Sequence, residues 1–254
     1  MIGLKEERVR VKTMPSFAQR VLVAVPAYNE EATIDKVVAR IRESMPDFDL
    51  LVVNDGSRDG TRRILESIGV TTATHLCNLG YARAIQTAIK YALACDYDTL
   101  ITLDADGQHH PEQVLALYAE SVSAGWDVLI GSRYVGTKDY SNSPLGRRVG
   151  MQLFSRLVKL ATGQRIYDTS SGLKVMRRSV FESLSQSLFV DFHAEALVYL
   201  IRLGYKVGEY PITAAERTHG QSMYSFLSHL KYPLKTSVLV LLGLIEANLR
   251  RRRN

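Results

Sequence analysis

Cysteine is scarce in this sequence, and the spacings that mark cysteine-based metal sites are missing. Its two cysteines, Cys77 and Cys95, do not repeat the short intervals of zinc-binding motifs, and the six histidines form no ligand pattern. This argues against a zinc-binding module. Unpaired cysteines usually fill small buried positions and are typical of a reducing compartment, so we expect a cytoplasmic protein.

Long hydrophobic runs are also missing. The first twenty residues contain no apolar stretch of about 7–15 residues, the length found in secretory signal peptides, so we expect residues 1–20 to form a charged tail. Near the other end, the run Val238–Ile245 is far shorter than the roughly 20 residues that a helix needs to span a bilayer. We therefore expect that any attachment to a membrane is peripheral.

Two common nucleotide-binding motifs are absent as well. Neither the dinucleotide fingerprint G-x-G-x-x-G nor the phosphate loop G-x-x-x-x-G-K-[ST] occurs. The net charge of +6 favours anionic partners such as phosphates or an anionic membrane surface. No basic stretch is interleaved with aromatic residues, so we do not expect binding to nucleic acid.

The sequence does contain a regular alternation of short apolar runs and amphipathic segments. This alternation predicts βαβ units, and hence an α/β fold with a mostly parallel central sheet and helices on both faces. The predicted strands are Val21–Val25, Leu50–Val53, Val70–His75, a strand that begins at Thr99, and Asp127–Gly131. Polar clusters follow Val25, Val53 and Leu103, and another lies near Asn78. Because ligands bind beyond the carboxyl ends of such strands, these clusters predict one shared site.

The stretch Thr99–Pro111 (TLITLDADGQHHP) begins as a buried strand and ends abruptly in acidic residues. Side chains alternate along a strand, so Asp104 and Asp106 point the same way if the extended conformation persists. Two adjacent carboxylates, with Gln108 as a third oxygen ligand, suit a hard ion such as Mg²⁺ or Mn²⁺. The alternative is a polar turn between a strand and a helix that begins at Pro111.

The second half departs from the regular alternation. Residues 132–146 form a long polar segment, and a loop of that length in a compact domain is often functional. Arg133, Arg147 and Arg148 flank this loop and are solvated surface charges in the simplest interpretation. We expect a helix over Phe192–Arg202 that carries Glu195.

The chain ends in an amphipathic, basic segment. Apolar residues at intervals of three or four predict one face of a helix: Leu234, Val238, Leu241, Ile245 and Leu249. Basic residues surround this face: Lys231, Lys235 and Arg250–Arg253. Two interpretations remain open here. The helix either packs on the core and has a solvated basic end, or lies in the interface of an anionic membrane.

Four motifs, in their order and spacing, carry a resemblance to a known family. They are Pro26-Ala-Tyr-Asn-Glu-Glu, Asn54-Asp-Gly-Ser-Arg-Asp-Gly-Thr, Asn78-x-Gly80 and Asp104-Ala-Asp-Gly-Gln. Over about Val21–Ser222 the sequence resembles the family 2 glycosyltransferases. It looks most like the dolichyl-phosphate mannose synthases and polyprenyl-phosphate sugar transferases, through Asp168–Lys174, Gly204–Ile212 and Arg217–Ser222. Asn54 stands where many of these proteins carry aspartate.

The resemblance implies the nucleotide-diphospho-sugar transferase fold, a Rossmann-like α/β architecture, with a C-terminal amphipathic helix added to it. It divides the chain into the tail (residues 1–20), a catalytic domain (residues 21–222) and a basic helical segment (residues 223–254).

The resemblance also implies roles for individual residues. The nucleotide-sugar site is formed by Pro26, Ala27, Tyr28, Glu30, Asn54, Asp55, Asn78, Gly80, Asp104, Ala105, Asp106 and Gln108. The metal ligands among them are Asp104, Asp106 and Gln108. The acceptor and its phosphate are bound by Arg133, Arg147, Arg148, Arg217 and Ser222. The catalytic residues are Asp106, Arg133 and Arg217. A general base, where one is needed, is Asp191 or Glu195, although these two can equally be a helix N-cap and a buried ion-pair partner.

The expected reaction is a metal-dependent, inverting transfer of a sugar from a UDP- or GDP-sugar to a polyprenyl phosphate. One alternative keeps the fold and transfers the sugar to a hydroxyl of a glycan or glycolipid. A remote alternative is a phosphohydrolase, because Asp104-x-Asp106-Gly is close to the nucleophile loop of the haloacid dehalogenase group. The expected location is cytoplasmic, with the C-terminal helix in peripheral contact with the inner face of the cell membrane.

Overall fold

The structure is a computed structural model that describes residues 19–107, 109–136, 145–187, 192–213 and 226–251, the side chains of 145–147 and 226–236 excepted. Seven strands form one sheet: β1 (Val21–Ala27), β2 (Asp49–Asn54), β3 (Thr71–Thr74), β4 (Thr99–Thr102), β5 (Val128–Ser132), β6 (Lys174–Arg177) and β7 (Val207–Pro211). The helices are α1 (Ile34–Ser44), α2 (Thr61–Ser67), α3 (Tyr81–Ala94), α4 (Pro111–Ser123), α5 (Leu145–Thr162), α6 (Arg178–Ser185), α7 (Ala194–Leu203) and α8 (Phe226–Arg251). This confirms the predicted α/β fold class.

The order of strands in the sheet is β3-β2-β1-β4-β6-β5-β7. All neighbours pair in parallel except those of β6, which is antiparallel to both β4 and β5. The other six strands therefore end at one edge of the sheet, and β6 begins at that same edge. The segment that leads into β6, residues 168–173, is thereby placed among the loops that follow the parallel strands.

Two apolar clusters cover the two faces of the sheet. Leu22 and Ala24 of β1 belong to one cluster, with residues of α3, α6 and α7. Val23 and Val25 belong to the other, with residues of α1 and α4. Burial on both faces explains why these strands are continuous apolar runs instead of alternating ones. The helices lie on both faces, as predicted.

Helix α8 packs against α7 and α5. It does so through small or short side chains, because Val240, Gly243 and Ala247 are buried. The predicted apolar face points the other way: Val238, Leu241, Ile245 and Leu249 are 50%, 57%, 47% and 53% exposed. Helix α8 therefore packs on the core, as one of the two interpretations predicts, but through a side other than the predicted apolar face. Leu234, the remaining residue of that face, lies outside the described side chains. In the part of the chain that the structure describes, no helix combines the length and the apolar character that crossing a membrane requires.

Candidate active site

The loops that follow β1 and β2 are fastened to each other at the carboxyl edge of the sheet. The backbone N–H of Asn29 donates to Ser57 Oγ at 3.0 Å, and that of Arg58 donates to Asn29 Oδ1 at 2.9 Å. Gly60 N–H donates to Glu31 Oε2 at 2.6 Å. Both motif loops, predicted separately, thus form one continuous surface.

The residues predicted from the first motif lie at the start of this surface. Pro26 and Ala27 end β1, with Ala27 buried, and Tyr28 follows half-buried. Glu30 accepts the hydroxyl proton of Thr33 on Oε2 at 2.9 Å, directly before α1. The Glu30 carboxylate is thus held at the N-terminus of a helix, where negative charge is stabilised.

The side chain of Asp55 joins three partners in this region. Its carboxylate accepts the backbone N–H groups of Leu79 and Gly80 at 2.9 and 2.8 Å, and His75 Nδ1 lies 2.6 Å from Oδ1. His75 Nε2 in turn lies 2.8 Å from the hydroxyl of Thr87. Asp55 therefore fixes the turn that precedes α3, and with it the predicted residue Gly80.

Asn54 has a local structural role beside it. It is buried, and its Oδ1 accepts the backbone N–H of Ser57 at 3.1 Å. Gly56, with φ +66°, lets two loops meet, because a Cβ there would lie 2.3 Å from the carbonyl carbon of Cys77. Asn78, the next residue along that loop, is exposed at the edge.

The two aspartates of the third motif lie after β4. The strand ends at Thr102, residues 105 and 106 are in a turn, and Gly107 has φ +72°. The condition on which the common direction of the two side chains depends, an extended conformation up to Asp106, is therefore not met. The charges of the two carboxylates nevertheless interact: burial raises the pKa of Asp104, the charge of His109 opposes this, and the charge of Asp106 raises the pKa further. Ala105 and Asp106 are buried.

Asp104 lies directly against the backbone of the segment that leads into β6. A Cβ on Gly172 would be 2.1 Å from both carboxylate oxygens of Asp104. The hydroxyl of Thr102, on β4, donates to the carbonyl of Gly172 at 2.6 Å and fixes this approach. Only glycine leaves room for the carboxylate here, so the antiparallel strand β6 completes the acidic site.

Two basic side chains face these carboxylates. Lys174 is buried on β6, and burial lowers its pKa to about 8 although the charge of Asp104 opposes this. Its ammonium donates to the carbonyl of Ser171. His109 Nε2 is 4.0 Å from Asp104 Oδ2, and burial lowers the pKa of His109.

The carboxylate pair fits a hard divalent cation. Within the described residues no third Asp, Glu, His or Cys completes a cluster, and Gln108 lies outside them. Mg²⁺ and Mn²⁺ usually bind through one or two carboxylates and keep water or substrate oxygens as the remaining ligands. Asp104 and Asp106 would hold the ion. Burial is the main cause of the raised pKa of Asp104, and the charge of Asp106 adds to it; a bound cation would relieve the repulsion between the two carboxylates.

Arg133, at the end of β5, is held by a bidentate ion pair. Its Nε and Nη2 donate to the two oxygens of Asp168 at 2.8 and 2.9 Å, and its backbone N–H donates at 3.2 Å. Asp168 is fully buried. Burial lowers the pKa of Arg133, but the bonds to Asp168 outweigh this and raise that pKa above its usual range.

The remaining predicted residues are less well placed. Arg148 is half-buried on α5. Glu195 is buried in the first turn of α7, and its Oε1 accepts the N–H of His193 at 3.1 Å, which supports the structural interpretation. The following residues lie outside the described side chains: Gln108, Arg147, Asp191, Arg217 and Ser222.

Sequence reasoning missed four residues of this site: Asp168, Gly172, Lys174 and Glu209. The motif Asp168–Lys174 was recognised as typical of a family, but no role was assigned to its members. A signal was present, since Asp168 and Lys174 lie on either side of a segment of mainly small and polar residues that leads into the apolar pair Val175-Met176, and charges are costly to bury without partners.

Comparison with known proteins gives the site its family. Residues 22–185 match the description "Glycosyl transferase family 2". The chain belongs to this family. The glycosyltransferase is 33% identical over 218 residues to polyprenol monophosphomannose synthase of Mycolicibacterium smegmatis, covering 82% of each chain. It is 31% identical over 215 residues to undecaprenyl-phosphate mannosyltransferase of Micrococcus luteus, covering 81% of this chain and 88% of that protein.

A solved structure confirms the fold of this glycosyltransferase. Glucosyl-3-phosphoglycerate synthase from Mycobacterium tuberculosis, in complex with Mn²⁺, uridine-diphosphate-glucose and phosphoglyceric acid, matches with a TM-score of 0.63. The two are 19% identical, and the match covers 93% of this chain and 85% of that one. At this identity the likeness concerns the fold, which is the nucleotide-diphospho-sugar transferase fold that the sequence predicts.

Proposed function

We propose that this glycosyltransferase moves a sugar from a nucleoside diphosphate to a polyprenyl phosphate, with inversion at the anomeric carbon. The observation that carries the proposal is that Arg133 and the Asp104–Asp106 pair lie at the same edge of the sheet. Asp104 follows β4 and Arg133 follows β5, and both strands are antiparallel to β6 and so end at that edge. Relatives whose names specify polyprenyl or undecaprenyl phosphate support this acceptor class.

The donor would lie across the loops that follow β1, β2 and β4. Tyr28, the turn held by Asp55, and Asn78 would line the nucleoside, and the Asp104–Asp106 pair would face the diphosphate. A bound Mg²⁺ or Mn²⁺ neutralises charge on a departing diphosphate. Asp104 and Asp106 hold this ion, and Gly172 keeps the Asp104 carboxylate in position.

The acceptor would need cations more than it needs a base. A phosphate monoester has a second pKa of about 6 and is therefore already a charged nucleophile at neutral pH. Arg133 would bind this phosphate, and we assign supporting contacts to Arg147, Arg148, Arg217 and Ser222. A hydroxyl acceptor, by contrast, has to lose a proton as it attacks. The buried position of Glu195, with an N–H already bound, favours the phosphate.

The decisive experiment supplies the purified protein with a polyprenyl phosphate and a panel of labelled UDP- and GDP-sugars, with Mg²⁺, Mn²⁺ or a chelator. We expect metal-dependent label in the organic-extractable lipid. Asp106→Asn should abolish this label while the far-ultraviolet circular dichroism stays unchanged. The exposed ion pair Arg178–Glu182 offers the matched control Glu182→Gln, which should transfer normally.

Three outcomes would contradict parts of this proposal. Full activity of Asp106→Asn would overturn the metal assignment. Donor consumption without labelled lipid would move the acceptor to a hydroxyl, and an inactive but folded Asp191 or Glu195 variant would then identify the base. Release of phosphate from simple phosphomonoesters would revive the phosphohydrolase alternative.

We also propose that α8 lies on the surface of an anionic membrane, on its inner face. The exposed stripe of α8 (Val238, Leu241, Ile245 and Leu249) runs along one side of the helix, and Arg250 and Arg251 follow in its last turn. An apolar stripe beside cations is the pattern of interfacial helices. In this proposal the domains keep their predicted limits, 1–20, 21–222 and 223–254.

Vesicle flotation tests this attachment. The wild-type protein should float with vesicles that contain anionic lipid, and a variant with serine at all four stripe positions should float far less. Because these side chains are exposed, the variant should unfold at the same temperature as the wild type. Equal flotation of the two proteins would contradict the proposal.

A further inference from the structure

We infer that Glu209, on β7, is a positioning residue that fixes Arg133 for its contact with phosphate. The inference rests on the proposed function, because that function gives Arg133 its ligand. Glu209 has no contact with the Asp104–Asp106 pair among the interactions of the described residues. Its effect on the reaction would therefore pass through the two backbone segments that it joins.

The carboxylate of Glu209 holds the segment that carries Asp168. Its Oε2 accepts the backbone N–H of Tyr167 at 2.7 Å, and its Oε1 accepts that of Asp168 at 2.8 Å. Bonds of an ionised carboxylate to two N–H groups are short and strong compared with neutral ones. This pair of bonds sets the position of the Asp168 backbone relative to β7.

The other contact of Glu209 reaches the segment that carries Arg133. The pairing of β5 with β7 places Glu209 beside the end of β5. Burial raises the pKa of its carboxyl, and the nearby hydroxyl of Ser132 opposes this. The same hydroxyl oxygen accepts the backbone N–H groups of Tyr134 and Val135 at 3.3 and 3.1 Å. Residues on both sides of Arg133 are thus tied to Glu209. We call this set of bonds the Glu209 clamp: Glu209, Ser132, and the N–H groups of Tyr167 and Asp168.

The clamp brings Asp168 and Arg133 together in one geometry. Asp168 takes Nε and Nη2 of the guanidinium in a bidentate pair, which defines the plane of the group. Among the described residues, the third nitrogen, Nη1, forms no hydrogen bond. A side chain held by two of its three nitrogens presents the remaining donor in one direction, which suits a phosphate oxygen. The ring of Tyr134, whose centroid lies 5.4 Å from the guanidinium carbon of Arg133, restrains the guanidinium further.

The sheet explains why the clamp has to come from β7. Ile130 pairs with Glu209 and Ser132 with Pro211, so the side chain of Glu209 lies beside the end of β5. Without an acceptor at this position, two backbone N–H groups at residues 167 and 168 would lose their partner. Loops displaced by as little as an ångström would no longer orient the guanidinium.

The test compares Glu209→Gln with the wild type in the lipid-phosphate assay. Glutamine keeps the size of the side chain, but its one amide oxygen cannot serve both N–H groups. We expect kcat/KM for the polyprenyl phosphate to fall about tenfold, mainly through KM, as expected when one charge-assisted bond is lost. KM for the nucleotide sugar should stay within twofold. Glu182→Gln makes the same chemical change on an exposed ion pair and should match the wild type.

A double-mutant cycle separates positioning from a general effect on folding. Arg133→Lys keeps a positive charge but cannot form the bidentate pair with Asp168, so its residual activity remains measurable. In the Arg133→Lys background, Glu209→Gln should lower kcat/KM for the polyprenyl phosphate by less than a further twofold. If the two substitutions lower kcat/KM by factors that multiply in the double mutant, the inference is overturned, because Glu209 would then act independently of Arg133. An undiminished kcat/KM in Glu209→Gln would overturn it as well.

These outcomes are distinct from failure of the proposed function. If the wild type does not label the lipid, or Arg133→Lys is fully active, the phosphate role of Arg133 fails first. If Glu209→Gln does not fold, Ser132→Ala removes only the hydroxyl of the clamp. It should lower kcat/KM for the lipid about threefold in the wild type, because the oxygen that accepts the N–H groups of Tyr134 and Val135 is lost, and should have no effect beside Arg133→Lys.

Discussion

Asp104 occupies a position that its own segment does not define. The wall behind its carboxylate is the Cα of Gly172, which lies nearly seventy residues further along the chain. The site thus depends on the absence of a side chain at Gly172 as much as on its charged side chains. Substitutions at that wall are therefore more informative about the acidic site than substitutions of the carboxylates themselves.

Gly172→Ala should displace Asp104 and weaken the metal site. We expect at least tenfold weaker Mn²⁺ binding, measured by electron paramagnetic resonance, and a similar loss of transfer activity. The matched control is Gly150→Ala on α5, where the one described residue within 4 Å of an added Cβ is Phe154, at 3.9 Å. Unchanged Mn²⁺ binding in Gly172→Ala would show that Asp104 is not a ligand.

Tyr97 lies far from the site, and its pKa leads to a prediction about stability at alkaline pH. Burial and the hydrogen bond from its hydroxyl to Asp49 raise the pKa of Tyr97 from 10.0 to about 12. The folded state therefore favours the neutral phenol. The resulting stability is fully present below pH 10 and is lost as the pH rises toward 12. Tyr97→Phe should show a smaller fall in the free energy of unfolding between pH 9 and pH 11, measured by urea denaturation. An equal fall in both proteins would contradict the assignment.

At the scale of elements, the two sides of α8 should respond differently to the same substitution. Val240 is 5% exposed and Leu241 is 57% exposed. Val240→Ser should lower the free energy of unfolding by about 1–3 kcal/mol, whereas Leu241→Ser should change it by less than about 0.5 kcal/mol. Urea denaturation of both variants measures the difference. Equal effects would place the stripe against the protein instead of outside it.

The orientation of α8 could not be predicted from the hydropathy pattern. The periodicity was sufficient to find the helix and its apolar stripe, yet the packed side is the one with Gly243 and Ala247. A Cβ on Gly243 would be 3.1 Å from the carbonyl oxygen of Glu195, so small residues let α8 approach α7 closely. How closely two helix backbones approach depends on both helices, so the hydropathy pattern of one helix reveals little of it.

Helices were predicted well where proline or a regular apolar spacing marks them in the sequence. Helix α4 runs over Pro111–Ser123 as predicted, because proline marks its start and the apolar positions recur with the helical period. Strand β6 was missed. Its four residues pass directly into α6 without a turn signal, and its direction depends on partners distant in the chain.

The candidate site was predictable in its residues more than in its geometry. The polar clusters do meet at one edge, because carboxyl ends of parallel strands meet there. The backbone at Asp106 is turned instead of extended, which periodicity does not reveal. The partners of Arg133 were hidden for the same reason as β6: Asp168 and Glu209 reach it only through the sheet order.

At the scale of the whole molecule, the net charge of +6 should make binding to an anionic surface depend on salt. The Debye length falls from about 10 Å at 0.1 M to about 3 Å at 1 M ionic strength. We expect vesicle flotation to weaken across this range, with residual binding through the apolar stripe. A variant with glutamine at Arg251, which is exposed, should depend less on salt. Salt-independent flotation of the wild type would argue against an electrostatic contribution.

The reversed strand also has a consequence for synthesis on the ribosome. β4 pairs with β1 on one side, but its other partner, β6, begins only at Lys174. A nascent chain that has emerged as far as residue 170 can therefore assemble β3-β2-β1-β4 with an open, apolar edge at β4. Such an edge is a template for pairing with other chains, and it is covered only once β6 has been synthesised.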